Sequence, residues 1–329
     1  MKFGPVDPAQ AEGAILAHSL DLQGQKLRKG LVLDPVHISA MQAAGITQVI
    51  VAQLGADDLH EDDAAQQLAA AIAPDLTGLR LSNAFTGRVN ILADGPGVVV
   101  LDEEKLIAAN EVHPMITVAT VPPWQQMGAR GMVATVKIIS YGVAAADVAR
   151  ACDLAAGAIR FAPVVLRNAT LIVTEIPGGA GEKGVAAIEG RLTALGMSLD
   201  TVVTVPHQEI PLRDALSAVN SDLALILTGS ATSDPMDVAP QAVRLAGGRV
   251  ERFGMPVDPG NLLFLGELNQ RPVIGLPGCA RSPALNGADW VLSRVACGIP
   301  VTGRDIARMG VGGLLKEIPT RPMPRRGKG

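Results

Sequence analysis

The sequence predicts an α/β protein in which a mostly parallel sheet, covered by helices on both faces, fills the C-terminal half and a smaller α+β region precedes it. Three observations carry this expectation. From about residue 166 to 300, apolar runs alternate with amphipathic segments, as strands buried on both faces alternate with the helices that cover them. Hydrophobic residues make up 48% of the chain and aromatic residues only 2%, so the core is large and built from Ala, Val, Leu and Ile. The 329 residues suit two or three domains rather than one.

Taken in order, residues 1–80 read as short strands and helices. Gly13 to His18 is apolar, and a turn follows at Leu22 to Gln25. A helix starts at Ile38 and stops at Gly45, a good C-terminal cap. Ile46 to Leu54 is β-branched enough for a strand, and Asp62 to Ile72 is rich in good helix formers. Residues 81–165 form a second, α+β region. Its expected strands are Val98 to Leu101, Ile116 to Val121 and Met132 to Ile139, and its helices Glu103 to Asn110 and Ala144 to Ala156.

Residues 166–300 alternate most clearly. Expected strands are Leu171 to Ile176, Val202 to Val205, Leu223 to Leu227, Val250 to Phe253 and Val273 to Leu276. Expected helices are Glu182 to Leu195, Leu212 to Val219, Met236 to Leu245 and Ser282 to Ala296. Val185, Ile188, Leu192 and Leu195 lie on one helical face. Residues 301–329 form a tail whose basic end (Arg321, Arg325, Arg326, Lys328) reads as solvated and frayed.

Composition excludes several functions. The formal net charge is −4 and no long basic run precedes the tail, so a nucleic-acid backbone is not an expected partner. Cys152, Cys279 and Cys297 are odd in number and form no CxxC pair, so they read as reduced thiols of a cytoplasmic protein. Met1 to Ala11 lacks an apolar signal core, and no apolar stretch is long enough to span a membrane.

The segment Leu225-Ile-Leu-Thr-Gly-Ser-Ala-Thr-Ser-Asp-Pro-Met-Asp237 carries the strongest chemical signal. An apolar strand runs into small residues and then into a helix opened by Pro235. Free amides and the helix dipole make such a place attractive to phosphate. Asp237 is expected on the first helical turn beside that anion. There it either takes part in a metal-linked or acid–base role or merely stabilises the helix. Two further loops, Val257 to Gly266 and Ile274 to Ser282, combine Pro-Gly turns with small polar residues. Each alone reads as a turn; together, from neighbouring strands, they can converge on one phosphorylated ligand. Ligands of such sheets sit outside the carboxyl ends of the strands.

These three loops resemble those of known proteins. Thr228 to Pro240 is similar to the Thr-Gly-Gly loop of the molybdopterin-binding superfamily. Met255 to Gly266 resembles the Pro-Gly-Lys-Pro loop of the molybdopterin molybdenumtransferase family. Leu276 to Ser282 matches that family's Leu-Pro-Gly-Asn-Pro-Val-Ser loop in length. Leu27 to Val51, with Gly30, Ile38 and Gly45, resembles the segment that introduces one of the family's earlier domains. The resemblance implies a three-layer α/β sandwich and the pterin dithiolene phosphate as ligand. It implies that Thr228, Gly229, Ser230 and Thr232 hold phosphate and that Pro259, Gly260, Pro277, Gly278 and Ser282 line the site. Asp237 is the metal-linked catalytic carboxylate where Mg²⁺ takes part. Related ligand domains form dimers and trimers, so a homo-oligomer is expected, working beside other cofactor-biosynthesis proteins.

The departures are specific. Ser230 and Thr232 stand where glycines are usual, which stiffens the backbone. Asn261 replaces the lysine of the second loop and Asp258 a frequently basic neighbour. Cys279 and Ala280 replace Asn and Pro in the third, while Arg281 adds a charge. The chain ends soon after position 300, without room for the β-barrel that follows the ligand domain of the molybdenumtransferases, so binding is expected ahead of molybdate insertion. Three functions stay open: a molybdopterin-handling enzyme of nucleotidylation or insertion, a non-catalytic carrier, and a nucleotide-pyrophosphate hydrolase on the same ligand fold, as in the competence-damage-inducible family. Elsewhere, His60-Glu61-Asp62-Asp63 reads as a metal site or an acidic first turn, and Lys137 as a ligand contact or a solvated side chain. His18, His113 and His207 lack partners at metal-ligand spacing. Lys183, among Gly178, Gly179, Gly181 and Gly184, sits on a loop able to close on a ligand.

Overall fold

A computed structural model describes residues 1–22 and 24–315; the basic residues of the tail lie outside them. The chain divides into two compact units, residues 1–95 with 99–161, and residues 96–98 with 162 onward.

The first unit holds two cores. The smaller one packs Leu16, Leu33, Met41 and Val51 between the helix Pro35–Ala43 and an antiparallel sheet of Lys2–Val6, Val49–Gln53 and Ile15–Leu16. The helix starts three residues before the sequence estimate of Ile38. Asp34 caps it by accepting the His37 N–H, and Pro35 occupies its first turn. The larger core lies between helices Glu61–Ile72, Glu103–Val112 and Ala145–Ala155 and an antiparallel sheet ordered Ile116–Thr120, Met132–Ile138, Arg88–Ala93, Leu79–Leu81. Buried alanines at 64, 65, 69, 109, 151 and 155 line these helices, as a chain poor in aromatics requires.

The second unit is a six-stranded sheet. Its order is Ser198–Pro206, Asn168–Glu175, Leu223–Leu227, Arg271–Leu276, Phe264–Leu268, Arg249–Phe253. The first four strands are parallel; Phe264–Leu268 runs antiparallel to both its neighbours. Alternate side chains explain the layers. Leu171, Val173, Leu225, Leu227 and Ile274 share a core with helices Val185–Ala194 and Gly287–Ala296. Ile172, Ala224, Ile226 and Val273 share the opposite core with helices Glu209–Ser217 and Val238–Leu245. Every residue of the central strand Leu223–Leu227 is buried, each leucine or isoleucine contributing about 1.5–3 kcal/mol. The α/β sandwich with a mostly parallel sheet is therefore the observed architecture.

Several boundaries differ from the sequence expectation; the helix expected at Leu212 to Val219 spans Glu209–Ser217, and the strand expected at Val202 to Val205 spans Ser198–Pro206. The helix expected from Glu182 begins at Val185, after Gly184 in the left-handed region. The one expected from Ser282 begins at Gly287, after a short 3₁₀ turn over Gly278–Arg281. The helix expected from Met236 begins at Val238. The second loop ends in the unexpected strand Phe264–Leu268.

Candidate functional site

The sheet order creates a crevice. From Asn168–Glu175 the chain passes through one helix to Ser198–Pro206 on one side. It then crosses through a second helix to Leu223–Leu227 on the other side. The carboxyl ends of Asn168–Glu175 and Leu223–Leu227 thus flank a topological switch point, where open parallel sheets leave room for a ligand. The glycine-rich loop 176–184 leaves the first of these strands and the loop 228–237 the second. The third loop, 277–282, leaves the next parallel strand, Arg271–Leu276.

The start of the 228–237 loop is fixed by a buried hydroxyl. Thr174 is wholly buried; its Oγ1 accepts the Gly229 N–H at 2.9 Å and lies 2.8 Å from His207 Nδ1. A Cβ on Gly229 would stand 2.6 Å from the Thr174 carbonyl oxygen, so only glycine lets the two strand ends meet this closely. Thr228 and Thr232 are buried, with their hydroxyl oxygens 3.5 Å apart, whereas Ser230 is exposed. The Gly229 amide, spent on Thr174, is not offered to a ligand. The next three amides, those of Ser230, Ala231 and Thr232, have no acceptor among the described residues.

Asp237 is placed differently from the expectation. It is the N-cap of Val238–Leu245 rather than part of its first turn, and Pro235 lies in the preceding turn rather than in the helix. One carboxylate oxygen accepts the Val238 N–H at 2.7 Å and the other the Ser233 N–H at 3.0 Å. The side chain therefore closes its own loop. Among the described residues no group of three His, Cys, Asp or Glu is placed to hold a metal ion. The loop's other carboxylate, Asp234, accepts the Met236 N–H at 2.7 Å, so both of its acidic side chains are engaged with backbone amides of their own loop.

Two arginines hold the third loop. Arg191 donates Nε to Asp289 at 2.6 Å, Nη1 to the carbonyls of Ala187 and Ala280, and Nη2 to those of Ser282 and Ala284. Asp289 in turn accepts the Asn286 N–H. Arg281 joins all three strand-end loops: Nη1 donates to the carbonyls of Gly181 and Lys183, and Nη2 to that of Thr228. Burial pushes the Arg281 guanidinium below its ordinary pKa. No carboxylate forms an ion pair with it among the described residues, although Glu175 approaches the same loop at Gly181.

The expected residues separate into two groups. Thr228, Gly229, Ser230 and Thr232 lie together at the crevice, next to Pro277, exposed Gly278 and exposed Ser282 at the end of the adjoining strand. Pro259 and Gly260 are buried, and the Pro259 carbonyl accepts the Gly287 N–H at 2.8 Å. They support the start of the Gly287–Ala296 helix. Sequence reasoning passed over Thr174, Arg191 and the linking role of Arg281. Their partners lie 55, 98 and up to 100 residues away, and no local pattern reports such distances.

The His60–Asp63 segment and Lys137 are engaged in contacts within the first unit. His60 caps Glu61–Ile72 by accepting the Asp62 N–H. Asp62 accepts the Gly87 N–H, and Lys137 donates to the Thr86 carbonyl and lies 3.7 Å from Glu61. Two open clefts of about 650 and 480 Å³ lie on the first unit, one around Asp102 to Lys105 and Arg160, the other around Lys2, Gln53 and Asp58. Neither coincides with the strand-end loops.

Comparison with known proteins leaves the family open. Residues 5–53 match a domain of unknown function, DUF8806. No curated protein matches the sequence. Among solved structures, the molybdopterin biosynthesis MoeA protein of Pyrococcus horikosii is similar over 94% of this chain and 77% of its own, at 12% identity and a TM-score of 0.30. A molybdopterin biosynthesis protein from Mycobacterium abscessus is similar over 40% of this chain and 92% of its own, at 16% identity and TM-score 0.29. The molybdopterin biosynthesis enzyme MoaB of Thermus thermophilus is similar over 46% and 100%, at 18% identity and TM-score 0.28. Likeness at these scores and identities assigns neither a family nor a function.

Proposed function

We propose that the second unit binds the phosphate end of molybdopterin, or of its nucleotide derivative, in the crevice between Asn168–Glu175 and Leu223–Leu227, as part of molybdenum-cofactor biosynthesis. The observation that carries the reading is the run of three amides, at Ser230, Ala231 and Thr232, that have no acceptor among the described residues. Consecutive N–H groups at a strand-to-helix loop favour a phosphate, and the switch point places them where α/β sheets bind ligands. The resemblance of all three loops to those of molybdopterin-binding proteins supplies the rest of the ligand's identity. Ser230 and Thr232 add hydroxyls that can donate to phosphate oxygens.

The engagement of Asp237 with two backbone amides favours the carrier reading over one in which that carboxylate organises a metal for nucleotidyl transfer. A carrier passes its ligand to other cofactor-biosynthesis proteins; size-exclusion chromatography tests the homo-oligomer expected of it. Ser230→Glu tests the site. An added carboxylate beside a bound phosphate repels it by about 1 kcal/mol at 4 Å even in water. Calorimetry with molybdopterin should show affinity lowered at least about fivefold. Unchanged affinity in a folded variant would remove the loop from the binding site.

A further inference from the structure

We propose that Arg281 is the anion-binding residue of this crevice, held ready by the glycine-rich loop 176–184; the proposal rests on the anion-site reading above and names the side chain that gives it charge. A comparison within the unit separates a strut from a binding group. A guanidinium has five N–H donors. Arg191 uses five on five acceptors, and one of these, Asp289, neutralises its charge. Arg281 uses three, all on carbonyl oxygens. Its Nε–H and one Nη2–H have no acceptor among the described residues, and its charge has no counter-ion there.

Fixing a side chain between loops requires donors but not an unpaired charge. A half-buried cation without a partner costs free energy, which a bound oxyanion would offset. The surroundings are also built around it. A Cβ on Gly184, whose φ is +105°, would stand 2.7 Å from the Arg281 Cα, so the loop packs directly onto this residue. Three carbonyls from two loops hold the guanidinium plane, which reduces the conformational entropy lost on binding. Arg281 Nη2 donates to Thr228, two residues before those three amides. Exposed Lys183, on the same loop, brings a second positive charge. The chemistry fits a doubly charged phosphate monoester or pyrophosphate, able to take a bidentate contact from the guanidinium and further contacts from the amides. A carboxylate matches the fork but leaves the second charge and the amides unused.

The test uses the full chain and inorganic pyrophosphate, with acetate at equal ionic strength as control. Saturable pyrophosphate binding by calorimetry is expected for the wild type, weakened at least tenfold in Arg281→Gln and less in Arg281→Lys. If Arg281→Gln does not fold, the wild type is modified with phenylglyoxal and the labelled sites are mapped by mass spectrometry. Pyrophosphate should then protect Arg281. Wild-type affinity in Arg281→Gln, absence of saturable binding, or equal modification of Arg281 with and without pyrophosphate would each overturn the proposal. The two readings fail separately. Pyrophosphate binding through Arg281 without molybdopterin binding removes the molybdopterin assignment alone, whereas molybdopterin bound equally by wild type and Arg281→Gln removes Arg281 alone.

Discussion

At the scale of single residues, the site depends on contacts that leave little freedom. Gly229→Ala would drive a methyl group to 2.6 Å from the Thr174 carbonyl. The strand ends must then separate, and overpacking of this kind costs about 1–3 kcal/mol, measurable as a lower urea midpoint. Arg191→Ala would leave Asp289 charged and largely buried without its guanidinium partner, and would take one donor each from the carbonyls of Ala187, Ala280, Ser282 and Ala284. Breaking such a pair costs about 3–5 kcal/mol, again read from urea unfolding. The cysteines offer a chemical test. Burial pushes the Cys297 thiol up to about 11 and raises that of Cys152, so both are poor nucleophiles near neutrality. Iodoacetamide at pH 7.5 is expected to label Cys279 first; earlier labelling of Cys297 would show that the packing around the C-terminal end of the Gly287–Ala296 helix opens in solution. Asp237 illustrates what the sequence discloses at this scale. A carboxylate at a helix start was legible, but whether it caps the helix or holds a metal depends on the loop geometry that brings Ser233 to it.

At the scale of elements, helix starts follow their caps more faithfully than their apolar periodicity. The run Asn286-Gly-Ala-Asp289 is a reciprocal capping box and fixes the start of Gly287–Ala296. The apolar pattern alone pointed to Ser282. The strand Phe264–Leu268 was hidden because it follows a Pro-Gly loop directly and carries Gly266 and Glu267. The fully apolar Leu223–Leu227 needed no such context. Asn is as good an N-cap as Asp, so Asp237→Asn should preserve the Val238–Leu245 helix, while the loss of one of the two accepted amides, that of Ser233, lowers stability by about 1 kcal/mol. By the carrier reading it should keep or raise molybdopterin affinity. Loss of cofactor maturation with intact binding would instead assign Asp237 a catalytic role. In the first unit, burial raises the Glu61 carboxyl above its ordinary 4.5, against the opposing charge of Lys137. The folded state thus holds this proton more tightly than the unfolded chain. Its contribution to stability is full below pH 4.5 and is lost as pH rises through the raised folded value. Glu61→Gln should flatten that part of the stability profile followed by urea unfolding. An unchanged profile would mean that Lys137 fully compensates the buried charge.

At the scale of the whole molecule, parallel topology was legible because strands buried on both faces cannot alternate polar and apolar residues. The same feature brings the three loops to one edge, since parallel strands end together. The sequence did not disclose the antiparallel insertion of Phe264–Leu268 or the switch point between Asn168–Glu175 and Leu223–Leu227, both of which are set by pairings far apart in the chain. Nor did it separate Pro259 and Gly260, buried against the Gly287 helix start, from the residues that meet at the crevice. In the proposed reading, the crevice of the second unit binds an anion, with amides supplying geometry and Arg281 supplying charge. The ligand that the crevice holds in the cell decides whether this reading stands. The most direct measurement is mass spectrometry of the small molecule released by denaturing full-length protein purified anaerobically from a host that makes the molybdenum cofactor. The expected result is molybdopterin or its nucleotide derivative in stoichiometric amount, and lost from Ser230→Glu. A different stoichiometric ligand without a phosphate group, or a pterin retained undiminished by Ser230→Glu, would contradict it.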